Sequence, residues 1–238
     1  MRMRKKKHGQ ERLSACSELI MTPPTAPVSD PAELFGRAGA PVFLEIGAGK
    51  GGFATKMAIR HPEVCYIAME RVSDCVVLAA EGAKNTEGGA PANLRFLVDT
   101  ADNLTRLFAP ASVDAIFLNF SDPWSKKGYA KRRLTHRRYL AVYMSLLKEG
   151  GTLRFKTDND GLFDFSLEEL DAVGLTPCRL TRDLHASEYN EGNIMTEYET
   201  AFSAQGVKIN MLEVVKPGGF ALEIPEELRA DRKEYHAV

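Results

Sequence analysis

Val42-Phe43-Leu44-Glu45-Ile46-Gly47-Ala48-Gly49-Lys50-Gly51-Gly52 decides how the rest of the chain is read. Val42 to Ile46 is a short apolar run, long enough for a buried strand and too short for a core helix. It breaks into glycines at 47, 49 and 52, the G-x-G-x-x-G spacing, which permits a tight turn and lets a ligand approach the backbone. Phe53 to Arg60 then predicts a helix, stopped before His61-Pro62. Strand, glycine turn and helix together open a βαβ unit.

The same alternation continues downstream. Strands are predicted at Cys65 to Met69, Leu94 to Val98, Val113 to Leu118 and Thr152 to Lys156, with two last ones near Thr176–Leu180 and Glu197–Ser203. Helices fall at Ser73 to Asn85 with Ser73 as its cap, Asp102 to Phe108, Thr135 to Leu147 and Leu162 to Val173. This pattern predicts an α/β, doubly wound, Rossmann-like fold, in which ligands bind at the carboxyl ends of the parallel strands. There is no internal repeat. Residues 1–40 read as a basic, flexible N-terminal arm, 41–210 as the folded domain and 211–238 as a C-terminal tail.

The strand ends carry acids. Glu70 closes the second strand, where a Rossmann-type carboxylate grips ribose hydroxyls. NAD and S-adenosylmethionine both satisfy the glycine turn and Glu70. Glu45, two residues before Gly47, favours the second, because a carboxylate there meets a cationic methionine end and repels a pyrophosphate. Asp99 and Thr100 follow the third strand and offer polar groups to an adenine amine. The fourth strand ends in a polar-aromatic motif rather than a dehydrogenase's catalytic lysine or histidine.

That motif is Leu118-Asn119-Phe120-Ser121-Asp122-Pro123-Trp124-Ser125-Lys126-Lys127. Pro123 fixes its φ and stiffens the turn that presents Asp122. Trp124 can stack on a base or pack the loop. The loop runs into a cluster with no compensating acid: Lys126, Lys127, Lys131, Arg132, Arg133, Arg137 and Arg138. Residues 1–12 add six basic residues against one acid, yet the whole chain is at −1, so the rest of the body is acidic. Cations concentrated this way point to a localised anionic partner such as RNA.

Five motifs recur in order and spacing: E-I-G-A-G-K-G at 45–51, N-F-S-D-P-W-S-K-K at 119–127, K-R-R-L-T at 131–135, F-K-T-D-N at 155–159 and G-N-I-M-T-E-Y-E at 192–199. Over about residues 42–205 the chain resembles the bacterial tRNA (guanine-N7-)-methyltransferase family. The resemblance implies a class I methyltransferase with a mostly parallel seven-stranded sheet and helices on both faces. It implies S-adenosylmethionine as methyl donor and, as substrate, the guanine at position 46 in the tRNA variable loop. It places Glu45, Gly47, Gly49, Glu70, Asp122 and one of Asp99 or Thr100 at the cofactor, with Asp122 also the catalytic residue. Lys126, Asp158 and the run Thr196, Glu197, Tyr198 and Glu199 fall to substrate binding, and residues 128–133, with Lys131, Arg132 and Arg133, to RNA contact. On a strand, Glu197 and Glu199 would share one face.

Four cysteines without a CxxC pair and five scattered histidines without HExxH call for no metal and read as a reduced, cytoplasmic protein. No apolar run reaches the length of a membrane span. A monomer and a homodimer are both compatible with the sequence. Two other readings follow from the same residues. Ser121-Asp122-Pro123-Trp124 is similar to the Asn-Pro-Pro-Tyr type motif of exocyclic amino-group methyltransferases, though Asp stands at its second position. A non-catalytic RNA-binding protein could also keep this fold.

Overall fold

A computed structural model describes residues 8–230. The strands are β1 (Val42–Ile46), β2 (Cys65–Glu70), β3 (Leu94–Val98), β4 (Val113–Asn119), β5 (Leu147–Thr157), β6 (Arg179–Thr181) and β7 (Asn210–Val215). The helices are α1 (Gly9–Ser14), α2 (Gly52–Arg60), α3 (Ser73–Lys84), α4 (Leu104–Leu107), α5 (Arg137–Leu146), α6 (Asp160–Asp171) and α7 (Glu197–Ser203). They build a seven-stranded sheet in the order β3-β2-β1-β4-β5-β7-β6. Neighbours among β1 to β5 pair in parallel, and β7 runs antiparallel to both β5 and β6. The order reverses between β1 and β4, so the ligand crevice of a doubly wound sheet lies at the carboxyl ends of these two strands.

Strand side chains alternate between two cores. Tyr66 and Ala68 of β2 face a cluster with Phe53 and Met57 of α2 and Val76 and Ala79 of α3. Cys65, Ile67 and Met69 face the other, with Leu140 and Tyr143 of α5 and Leu162 and Phe163 of α6. Helices thus cover both faces, and each wholly buried large apolar side chain contributes about 1.5–3 kcal/mol.

Helix ends follow local chemistry. Asn159 opens α6 by accepting from the Leu162 amide at 2.8 Å, and Gly174, with φ 73°, follows its end. Ser73 does not cap α3 as expected. It is the first helical residue, and the preceding Val72 amide donates to Glu70 Oε1 at 2.9 Å instead.

Three expectations are corrected. Residues 197–203 form α7, not a strand, because Thr196 and Glu199 make a capping box around the helix start. Glu197 and Glu199 therefore do not share a strand face. The remaining strand is β7, which starts at 210, so the boundary expected there falls at the opening of a strand inside the sheet. The described part of the N-terminal arm is packed: Cys16, Leu19, Met21 and Ala32 are buried, and the Met21 amide donates to the Phe96 carbonyl at 2.8 Å. Its basic start, Arg2 to Lys7, lies outside the described residues.

Candidate active site

Glycine conformation shapes the first wall. Gly47 and Gly49 take φ of 83° and 56°, a region that disfavours side chains, and nothing stands within 4 Å of a Cβ built on either, which leaves space above the turn. Glu70 holds this turn from β2, its Oε2 accepting from the Gly49 amide at 3.0 Å. Glu45 points into the protein and is 1% exposed. Asn119, at the end of β4, donates to its Oε1 at 2.9 Å. Burial pushes the Glu45 carboxyl up to about 7, opposed by that hydrogen bond, by the charge of Lys156 and by the neighbouring Tyr66 hydroxyl.

Asp99 accepts from the Thr100 amide at 2.7 Å and from Asn103 Nδ2 at 2.6 Å, both on Oδ1. Asp102, from the same polar stretch, is taken up by Arg138 and Tyr139, each at 2.8 Å. Buried polar atoms in this region without a well-formed protein hydrogen bond include Glu45 Oε2, the Tyr66 hydroxyl beside it, Asp99 Oδ2 and Ser121 Oγ. Buried polar groups are ordinarily satisfied, so acceptors left open beside an uncrowded glycine turn fit a polar ligand. They match S-adenosylmethionine in kind: carboxylates for a cationic methionine end, ribose hydroxyls and an adenine amine.

The second wall is the loop after β4. Phe120 and Trp124 bracket Asp122 with φ of 51° and 41°, left-handed backbone that costs a non-glycine residue about 1–2 kcal/mol. Surrounding contacts hold the strain. The Phe120 amide donates to the Lys156 carbonyl at 2.9 Å, and its ring lies against Tyr198 at 4.9 Å. Arg133 donates from Nε to the Pro123 carbonyl at 2.9 Å and from Nη2 to the Trp124 carbonyl at 3.2 Å. The Asp122 carboxylate is largely exposed, 3.6 Å from Arg71, the residue after Glu70. An exposed pair at that distance contributes little stability, leaving Asp122 available to a substrate.

The basic cluster divides into two groups. Arg137 is committed to Glu169, with two side-chain bonds of 2.9 Å, and Arg138 to Asp102. Arg133 anchors the loop and its guanidinium also covers the Phe165 ring. Arg132 stacks over the rings of Trp124 and Tyr129 at 5.0 and 4.8 Å, so Trp124 packs within the loop. Among the described residues no carboxylate pairs with Lys126, Lys127 or Lys131, leaving these ammonium groups open to phosphate.

The third wall is the segment 192–199. Glu197 leans over the glycine turn, its carboxylate 3.2 Å from a Cβ built on Gly52. The Tyr198 hydroxyl donates to Asp158 Oδ2 at 3.2 Å, and its ring stacks on Phe202 at 4.1 Å. Thr196 Oγ1 accepts from the Glu199 amide at 2.9 Å. Glu199, which the resemblance assigns to substrate, is wholly buried and bonded to Lys156, His185 and Asn193. It fixes the segment and presents nothing to a ligand. Burial lowers the Lys156 ammonium against the opposing Glu199 charge, while Lys156, His185 and Asn193 outweigh burial and hold Glu199 below the usual carboxylate range. Asn119, Lys156 and His185 are absent from the sequence-based site. The identity of Lys156 inside F-K-T-D-N, an ammonium in a predicted buried strand, was the available signal.

The strand order, the open glycine turn and the carboxylates grouped at the ends of β1, β2 and β3 define a methyltransferase of class I fold. The family described as "Putative methyltransferase" matches residues 39–212. The tRNA (guanine-N(7)-)-methyltransferase of Halalkalibacterium halodurans is 41% identical over 90% of this chain and 94% of its own length. The enzyme of the same name from Lachnoclostridium phytofermentans is 48% identical over 76% and 82%. That from Streptococcus equi subsp. zooepidemicus is 41% identical over 90% and 99%. The chain belongs to the tRNA (guanine-N7-)-methyltransferase family. Solved structures share the fold at low identity. An antibiotic-related methyltransferase superposes with TM-score 0.56 at 19% identity over 77% of this chain and 90% of that one. The 16S rRNA methyltransferase KamB gives 0.55 at 14% over 74% and 88%. Among the described residues, no helix is long and apolar enough to cross a membrane and no group of three or more His, Cys, Asp or Glu could hold a metal.

Proposed function

We propose that this protein methylates N7 of a guanine in tRNA, the guanine at position 46 of the variable loop, with S-adenosylmethionine as donor. The observation that carries the reading is the junction of Asp122 with the cationic run: Arg133 clamps the carbonyls of Pro123 and Trp124, so the loop that presents Asp122 is built on the segment that carries Lys126, Lys127 and Lys131. When bound, S-adenosylmethionine supplies a methyl group on a positively charged sulfur.

Glu45 Oε2, Glu70, Asp99 Oδ2 and the backbone at Gly47 and Gly49 are the groups to hold that donor. Guanine N7 carries an in-plane lone pair, so no proton has to be removed before it bonds to the methyl carbon. Alignment and electrostatics then supply catalysis, without a general base. Asp122 holds the guanine edge and favours the positive charge that grows on the ring. Thr196, Glu197, Tyr198 and Asp158 bound the opposite side of the pocket. N7 lies in the deep, narrow major groove of A-form RNA, so the target is a loop guanine or a base splayed from its stack. Lysines at 126, 127 and 131 fix phosphates without reading sequence.

The test is incubation with a labelled methyl donor and unmodified tRNA, followed by nucleoside analysis. Label in 7-methylguanosine supports the reading. Label in an N-methylated exocyclic amine points to the related amino-methyltransferase chemistry, and donor binding without transfer to a binding protein.

A further inference from the structure

Lys156 is an ammonium with 2% side-chain exposure on β5, the strand beside the central β4. Its three N–H donors meet three acceptors from one segment: Glu199 Oε2 at 2.6 Å, the Ile194 carbonyl at 3.0 Å and Asn193 Oδ1 at 3.2 Å. The Phe53 ring of α2 lies 5.1 Å from the same nitrogen. Its backbone carbonyl meanwhile accepts from the Phe120 amide at 2.9 Å, where the Asp122 loop begins. In register, Lys156 stands opposite Asn119, the residue that holds Glu45. One residue therefore joins the loop that presents Asp122, through its main chain, to the segment that presents Glu197 and Tyr198, through its side chain.

We infer that Lys156 is a positioning residue for methyl transfer: it locks residues 193–199 against the end of β5 so that Glu197 and Tyr198 face the Asp122 loop across a fixed gap. Segment 182–196 contains no strand, so sheet pairing does not set the position of this wall. Two long loops with free ends would leave the pocket width to chance. The buried pair supplies direction where apolar contact would not, since hydrogen bonds specify orientation and dispersion does not. Glu199 extends the lock, accepting also from Asn193 Nδ2 at 2.8 Å and meeting His185 Nε2 at 2.9 Å. Stability alone does not account for the pair, because apolar replacements of similar volume commonly match a buried ion pair.

This inference rests on the reading that residues 196–198 border the guanine. The experiment uses the full chain with Lys156→Met and Glu199→Gln combined, which removes both buried charges and leaves neither stranded. The variant stays folded and its Kd for tRNA, which the exposed lysines set, stays close to wild type; kcat is read at saturating donor, because the Lys156 charge also favours the Glu45 carboxylate. Amide exchange across 193–199 rises while that of β1 to β5 is unchanged. The kcat on tRNA falls by about 10²-fold, the scale of a roughly 1 Å misplacement of a reacting group. Wild-type kcat in the folded variant overturns the inference, as does unchanged exchange across 193–199. If the paired variant fails to fold, Asn193→Ala, which removes one acceptor from Lys156 and one donor to Glu199, is measured the same way, and the same outcomes decide. Wild-type protein that leaves tRNA unmodified defeats the proposed function itself, a result distinct from an active wild type with an equally active variant.

Discussion

Asn119 donates to one oxygen of Glu45 at 2.9 Å, while the other is buried with only the Tyr66 hydroxyl beside the carboxyl. Burial raises the folded-state pKa from the ordinary 4.5 to about 7. Between these values the unfolded chain has lost a proton that the folded chain keeps. Ligand-free stability therefore falls as pH rises from about 4.5 to about 7 and then levels off, by about 3 kcal/mol from this group. A cationic donor beside the carboxylate reverses the preference, so its affinity rises over the upper part of the same window. Glu45→Gln removes both effects, being more stable than wild type above pH 7 and binding S-adenosylmethionine weakly at every pH. Thermal melts and calorimetry between pH 5 and 8.5 check this. A donor affinity independent of pH in the wild type would exclude the role given to Glu45.

Asp122 is largely exposed and makes one long contact, to Arg71. Its removal should leave the fold untouched. Asp122→Ala is expected to keep Tm while losing about 10²–10³-fold in kcat at saturating donor, the usual consequence of deleting one preorganised polar group at a reacting centre. Single-turnover methylation of tRNA measures it, and near-normal turnover would end the assignment.

Arg133 and the exposed lysines should separate in kinetics. Arg133→Ala releases two loop carbonyls and uncovers the Phe165 ring, so it lowers kcat with little change in the salt dependence of tRNA binding. Replacing Lys126, Lys127 and Lys131 with Ala weakens binding and lowers the slope of log K against log salt, by about 0.7–0.9 for each phosphate no longer neutralised. Filter binding at several salt concentrations distinguishes the two. Equal slopes for the triple variant and the wild type would remove these lysines from the RNA interface.

Gly51 and Gly49 differ in what surrounds them. A Cβ on Gly51 would meet Ala79 Cβ at 2.7 Å and the Phe96 ring at 2.8 Å, in addition to a φ of 74°. Gly51→Ala is therefore expected to cost about 2–5 kcal/mol from backbone strain and overpacking together. Gly49→Ala meets nothing within 4 Å and should cost only the backbone part, about 1–2 kcal/mol, while hindering the donor. Denaturant melts of the two variants compare them directly, and similar losses would contradict the close packing seen at Gly51.

Local pattern is enough for much of this molecule. Apolar runs of strand length, the glycine turn after Ile46 and the acids at strand ends are encoded within a few residues of each other, so β1 to β5, the first helices and the acids Glu45 and Glu70 are legible from the chain alone. The short segment 197–203 misleads, because its alternation imitates a strand and only the Thr196–Glu199 capping box marks a helix. The packing of residues 9–40, the pairing of β7 and the division of the basic run into committed and open cations are decided by tertiary structure. Arg133, Arg137 and Lys131 are alike as letters. What distinguishes them is whether a carbonyl, a carboxylate or open solvent lies within reach, and those partners come from residues 9–32 positions away in sequence or, for Lys131, are absent among the described residues. Glu199 makes the same point: its partner Lys156 is 43 residues away, and only the folded chain turns a candidate substrate contact into a buried anchor.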